Sequence, residues 1–391
     1  MSDQFSAAPS ALGYFYQCEL GLLEFLRRDD PGLELSIEVL DDIAFEGDQT
    51  ELLQAKYQVT PGNLTDGSAD LWKTLRVWSD GETRQPEALL VLVTTATAPE
   101  GSIAALLRPD EARDADQAHD RLVANARSAT TQTLTRAREA FLGVEDGRRL
   151  EMVRRIVVAD QAHTFEELDE AFGRALRHAA PTDRRTALIS RLREWWLARA
   201  ERHLLEVARG AHHRIEFIEI ENRIADLRDQ LSADNLPNDL EGLAAPTDEE
   251  VASDQRAFVM QLRLIALANA RIRQAIHDHN RAFAQRGRWV REELVAVGEL
   301  ATYERRLKEE WERIWLPETD EPLELSEEEG LARGRSVHRA CDEAAVEPIR
   351  PKVSAPYIPR GSMQMLANEL RIGWHHDWVA RIQEILAETR S

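Results

Sequence analysis

The sequence has little of what announces the commoner chemistries. Cysteine occurs only twice in 391 residues, at Cys18 and Cys341, which excludes a disulfide framework and a four-thiolate zinc site. No GxxxxGK run followed by Ser or Thr is present, so the chain has no loop of that kind to cradle a nucleoside triphosphate. GxSxG, HExxH and the local context of a catalytic cysteine are missing too. No apolar run approaches the roughly 20 residues of a membrane span. The opening MSDQFSAAPS lacks the basic start and apolar stretch of a secretory signal, so no membrane association and a cytoplasmic location are expected. Positive charge is in deficit: 49 Lys and Arg stand against 70 Asp and Glu, for a net charge of −21. A free-standing DNA-binding domain is usually basic, because phosphate neutralisation drives affinity. An acidic balance of this size either keeps a protein soluble or keeps a nucleic-acid enzyme off its substrate until an oligomer or partner presents it. What remains, 43% hydrophobic and 30% charged residues, is ordinary for a helix-rich globular chain long enough for two or three domains.

The stretch 34–57, ELSIEVLDDIAFEGDQTELLQAKY, carries the chemistry. Alternation over 35–39 predicts one strand, 47–49 a turn, and 51–57 a second strand. On the second strand Leu52, Gln54 and Lys56 share one face, and Leu53, Ala55 and Tyr57 the other. The pair Asp41-Asp42 follows the first strand. Asp42 has the same parity as Glu38, so Asp42 is the expected metal ligand, with Asp41 as the substitute. Glu38 reads as a second ligand or as a solvated carboxylate. A hard divalent ion such as Mg²⁺ or Mn²⁺ takes carboxylate, amide and carbonyl oxygens. Beside it a lysine can hold an attacking water or stabilise transition-state charge. That set is the minimum for hydrolysing a phosphodiester.

Asp42 followed by Gln54-Ala55-Lys56 resembles the D…(E/Q)xK core of the PD-(D/E)xK nuclease superfamily. With Gly13-Tyr14-Phe15-Tyr16-Gln17 before it and LWKTLRVW at 71–78 after it, the segment is similar to a narrower group. That group is the double-stranded-DNA endonuclease domain of bacterial anti-phage effectors, found in CD-NTase-associated endonucleases and in ABC-three-component systems. The resemblance covers about residues 8–205, and the C-terminal part looks like the effector tail of the ABC-three-component type. It implies a restriction-endonuclease-like α/β domain over 1–210, with a mixed central sheet flanked by helices, and a mostly helical domain over 211–391. It further implies a Mg²⁺- or Mn²⁺-dependent endodeoxyribonuclease acting on double-stranded DNA. Asp42, Gln54, Glu38 and the Ala55 carbonyl would be the metal ligands, Lys56 the catalytic cation, and Gln17 a polar group lent by the first helix. One departure matters: Gln54 stands where the superfamily usually has an acid, which shifts metal binding toward Asp42, Glu38 and Ala55. The partners implied are a homo-oligomer and an ATPase or other defence subunit docking on the C-terminal domain. The rival reading is a degenerate nuclease-fold scaffold that bridges an ATPase to DNA or to another protein.

Elsewhere the patterns predict a helix over 11–28, a substrate-side loop over 57–70 and a short helix over 71–79. Lys73 and Arg76 of that short helix are candidates for DNA phosphate contact. The apolar run 88–95 predicts a buried strand beside the QxK strand, and 152–159 a further strand. A capping box at Thr164 and Glu167 opens another helix. Helix 188–207 is expected to pack the two halves together, 214–220 is a possible strand, and 234–254 reads as a linker. Helices are expected over 255–286 and 290–315, a solvated acidic run over 317–330, and extended chain over 348–359. A last helix over 364–388 is interrupted at 373–378. His277-Asp278-His279 and His375-His376-Asp377 read as structural or surface groups, since neighbouring helix positions point apart.

Overall fold

Strand order explains how the acidic pair meets the QxK strand. The computed structural model describes residues 8–81, 85–128, 132–211, 213–318, 325–344 and 348–388. The chain divides into two units, residues 1–227 and 228–391. The first unit runs α1 (Ala8–Leu26), β1 (Glu34–Ile37), β2 (Ile43–Glu46), β3 (Glu51–Lys56), α2 (Ala69–Gly81) and β4 (Leu89–Thr94). It continues with α3 (Ala115–Ser128), α4 (Thr135–Gly143), α5 (Asp146–Arg154), β5 (Ile156–Ala159), α6 (Phe165–Ala175), α7 (Thr182–Ala208), β6 (Ile215–Glu216) and α8 (Phe217–Gln230), which runs just past the division. The sheet order is β5-β4-β3-β2-β1-β6. The β6-β1-β2-β3 side pairs antiparallel, and β3-β4-β5 pair parallel, with Gln54 opposite Leu92 and Lys56 opposite Thr94. A parallel step needs a crossover, which α2 and then α3 to α5 supply. The expected mixed sheet flanked by helices is the fold observed, and the 88–95 run does lie beside the QxK strand.

Each face of the sheet has its own cover. Ala44, Leu52, Leu90 and Leu92 pack with Trp72, Leu75 and Trp78 of α2 and with Phe141 and Met152. On the opposite face Gly21 lets α1 lie close: a methyl there would touch Leu35, Ile43 and Trp196 at 3.7–3.9 Å. The Trp196 indole donates to the Cys18 carbonyl at 2.7 Å. Helix α7, expected to join the two halves, packs on α1, α6 and β1 of the first unit.

Three local readings are corrected. The acidic stretch holds three strands, because 43–46 forms β2. Ile43, Ala44 and Phe45 are fully buried, so both faces are covered and the alternation that marks a half-buried strand is missing. Strand β1 therefore ends at Ile37, and Glu38 turns away with a left-handed φ of 58°. Helix α5 occupies 146–154, so β5 begins at Ile156 and not at Met152. Of the possible strand over 214–220, Ile215–Glu216 is a strand, β6, paired on β1.

Side chains finish the two edges of the sheet. The Ile37 N–H, which points past the end of β6, donates to His203 Nε2 at 3.1 Å. At the other edge Arg113 donates to the Ile156 carbonyl at 2.7 Å.

The second unit is helical throughout its described residues: α9 (Asp248–Ser253), α10 (Ala257–Leu264), α11 (Asn269–Arg291), α12 (Glu299–Trp315), α13 (Glu327–Glu343), α14 (Tyr357–Asn368) and α15 (Trp378–Glu388). Helices α11 and α14 pack closely enough that a methyl on Gly361 would lie 2.1 Å from the Asp278 carbonyl. The stretch 234–254 is no free linker. Trp289 Nε1 donates to the Pro237 carbonyl at 2.8 Å, and the Asp239 N–H to Gln285 at 2.7 Å. The expected helix 255–286 is broken after Leu264, where Ala266 takes a φ of 53°. Helix α14 starts inside the proline-rich stretch and ends at Asn368, so 364–388 is two helices. Residues 319–324 of the acidic run lie outside the described residues; Ser326 caps α13.

Candidate active site

The turn between β1 and β2 brings Asp41 and Asp42 against the side chains of β3. Gln54 Nε2 donates to Asp42 Oδ1 at 3.0 Å and also to Asp41 Oδ1. The Ala55 N–H donates to Asp42 Oδ2 at 3.0 Å. Lys56 Nζ reaches Gln54 Oε1 at 2.8 Å and Asp42 Oδ2 at 3.5 Å. Carboxylates only accept and an ammonium only donates, so this network fixes the Gln54 amide with its nitrogen toward the aspartates and its oxygen toward Lys56. The structure thus brings together Asp42, Gln54, Ala55 and Lys56.

Parity does not decide between the two aspartates, because both lie in a turn and both meet Gln54. Asp41 is buried, with 7% of its surface exposed. Its Oδ2 accepts the Trp78 indole N–H at 2.8 Å, and its Oδ1 the Asp42 N–H at 3.0 Å. Burial, helped by the Asp42 charge, pushes its carboxyl up to about 6 against the pull of those donors. Nothing in the residue pattern indicates that the Trp78 N–H reaches into the site.

Glu38 is exposed beside this group. Its carboxyl is raised, first by partial burial and then by Asp42, while Lys56 opposes the shift; it therefore senses both residues across the turn. Gln17 is not hydrogen-bonded to the cluster, and its buried Oε1 has no partner among the described residues. Helical spacing puts it on the face of Tyr14, which senses the Glu38 charge. Lys73 and Arg76 are exposed on α2, and neither is paired with a carboxylate among the described residues. Arg76 lines a cavity of about 290 Å³ that also touches Leu40, Asp41 and Trp78.

The donors around Asp42 fit a hard divalent ion: carboxylate and amide oxygens, with no imidazole or thiolate among them. A second group, His375, His376 and Asp377, brings three ligand atoms within 4.8 Å in the helical unit. There the Asp377 N–H donates to His375 Nδ1 at 3.1 Å. That places the neutral ring's proton on Nε2, with Arg381 acting on the same imidazole.

Residues 258–382 match the family model of C-terminal domain 7 of the ABC-three component (ABC-3C) systems. Most of the second unit is thus similar to an ABC-3C C-terminal domain. This supports placing the chain among the components of such systems. The ABC-3C match covers α10 to α15 and stops short of the α/β unit that holds the acidic turn. No curated protein matches the chain. Among solved structures, the Acinetobacter baumannii Cap4 SAVED/CARF-domain containing receptor is similar over 66% of this chain and 60% of its own length, at 12% identity and a TM-score of 0.31. That likeness is too slight to bear on fold or function. No helix among the described residues is long and apolar enough to cross a membrane.

Proposed function

We propose that the chain is the DNA-cleaving component of an ABC-3C anti-phage system, hydrolysing phosphodiesters of double-stranded DNA with Mg²⁺ or Mn²⁺. The observation that carries this reading is the convergence of Asp42, Gln54 and Lys56 on one edge of the β1–β2 turn. Asp42, Gln54 Oε1, the Ala55 carbonyl and Glu38 would hold the ion, which when bound supplies polarisation of the phosphate and of a bound water. Lys56 is the cation of the site: its Nζ lies between Asp42 and the Gln54 oxygen, within reach of a phosphate oxygen or a water lodged there. The Ala55 N–H holds Asp42 in place from the backbone, so the carboxylate need not be ordered by substrate. Lys73 and Arg76 offer unpaired charge to the DNA backbone. With a net charge of −21, the chain depends on an assembly or a partner ATPase, docked on the ABC-3C domain, to present the duplex.

A second reading is favoured by one observation. Where the superfamily has an acid, Gln54 uses its NH₂ group to bind both aspartates, as a residue in a retired site would. A scaffold bridging an ATPase to DNA would look the same there. Incubation with plasmid and Mg²⁺, alone and with the partner subunits, separates the two. Lys56→Ala is expected to keep the fold and lose cleavage by about 10²–10³ in rate. Lys56→Arg is expected not to restore it, because a planar guanidinium does not replace a compact ammonium. Normal cleavage and phage protection by Lys56→Ala would sink the nuclease reading.

A further inference from the structure

The Asp41 carboxylate is engaged on all sides by donors, none of them a cation. Its Oδ1 takes the Gln54 NH₂ and the Asp42 N–H, and its Oδ2 takes the Trp78 indole. Burying a carboxylate is costly unless its hydrogen bonds are met, and here each oxygen has a donor. Its position bears on the residue it holds.

A carboxamide has two ends of nearly equal size and opposite polarity, and only the oxygen tolerates a cation. A carboxylate at the same place would have two oxygens and need no orienting. Gln54 does need it, because a half-turn about its last bond would aim NH₂ at Lys56 and turn the oxygen onto the two aspartates. Trp78 is fixed by the core of α2 and the sheet, where it packs with Leu52, Leu75 and Leu90. Its N–H therefore reaches Asp41 from a rigid base.

We propose that Asp41 and Trp78 form a positioning pair that turns the Gln54 amide oxygen toward the metal and Lys56, standing in for the orientation-free acid the site lacks. This rests on the metal-site reading above, and the test separates the two. Mn²⁺ binding to the full-length protein, followed by electron paramagnetic resonance of the free ion, reads it without any cleavage assay. Asp41→Asn must set an NH₂ group against either the indole N–H or the Gln54 NH₂, leaving Asp42 Oδ1 and Lys56 to orient the Gln54 amide without it. It is expected to weaken Mn²⁺ binding by about 10–100-fold, the usual effect of losing an outer-sphere partner. Trp78→Phe keeps the ring in the core and is expected to weaken binding in the same direction, by less. The decisive comparison uses Gln54→Glu as its background: both ends of residue 54 are then oxygens, and adding Asp41→Asn to Gln54→Glu is expected to cost little Mn²⁺ affinity. A merely structural Asp41 would make the double variant weaker than Gln54→Glu by the same factor that separates Asp41→Asn from wild type. That result, or Asp41→Asn binding as wild type does, would overturn the pair and leave the metal site standing. Wild-type protein that binds no Mn²⁺ would overturn the metal reading and the pair with it.

Discussion

Gln54→Glu alone asks why the site has an amide at all. The Gln54 nitrogen lies 3.0 Å from Asp42 Oδ1 and also donates to Asp41. A carboxylate oxygen there would replace two charge-assisted hydrogen bonds, each worth about 1.5–3 kcal/mol, with two repulsions. Unscreened by proton uptake, like charges about 4 Å apart at an effective dielectric near 20 repel by about 4 kcal/mol per pair. The site has a way to relax: Asp41, already pushed up to about 6, takes the proton most readily. Holding a proton on such a group at pH 8 costs about 2.7 kcal/mol, which caps the repulsive part. A new ion pair with Lys56, 2.8 Å from the oxygen end of residue 54, offsets a fraction. The net loss expected in EDTA at pH 8 is roughly 3 kcal/mol. A divalent ion neutralises the extra charge, so Mn²⁺ is expected to restore most of that loss and to stabilise the variant more than the wild type. Denaturant unfolding in EDTA and in Mn²⁺ measures both. Equal midpoints for the variant and the wild type in EDTA would refute the reasoning.

Three further outcomes are expected. Replacing Lys73 and Arg76 together by alanine should weaken binding to DNA of any sequence and lower the slope of log K against log salt by about 2, near 0.9 per phosphate contact; an unchanged slope in a filter-binding series would remove both from the interface. His338 and His279 are each held near 4 by burial first, and then by Arg271 and Arg256 respectively. A lowered histidine pKa means the unfolded chain takes up protons first. Their contribution is thus whole above about 6.5 and lost as pH falls toward 4, about 1–2 kcal/mol each by pH 5; urea unfolding of the helical unit that is as stable at pH 5 as at pH 7.5 would contradict this. A truncation after 210 removes β6, buried Ile215 and Ile220, and the Arg199–Glu219 ion pair at 2.6 Å. It should melt well below one ending at 230, and equal melting would show that the segment adds nothing to the first unit.

How much of this could be read in the residues follows from physical cause. Strand β4 was legible because six apolar or β-branched positions in a row fit a doubly covered strand. The helix opened by Thr164 was legible because its capping box is local. Strand β2 was not, since Ile43-Ala44-Phe45 is too short and too evenly buried to show a period. The parity that chose Asp42 over Asp41 assumed a strand where the chain turns, and Glu38, at φ 58°, breaks the period outright. The QxK spacing did place Gln54 and Lys56 together, because a regular strand keeps its period of two. Trp78 reaching Asp41 is a contact across 37 residues, and no local pattern encodes such a distance. Likewise 234–254 looked like a linker from its prolines and acids, while its docking depends on Trp289 and Gln285 far along the chain.

The two finished edges of the sheet limit how this unit can meet others. A strand border with open N–H and C=O groups invites pairing by another chain. Here β6 covers the start of β1, an imidazole takes the next outward N–H at Ile37, and a guanidinium occupies the Ile156 carbonyl at the far side. The capped groups are closed to backbone pairing, so at those positions a neighbour has to recognise the unit by its side chains. Recognition of that kind is set by surface residues one at a time.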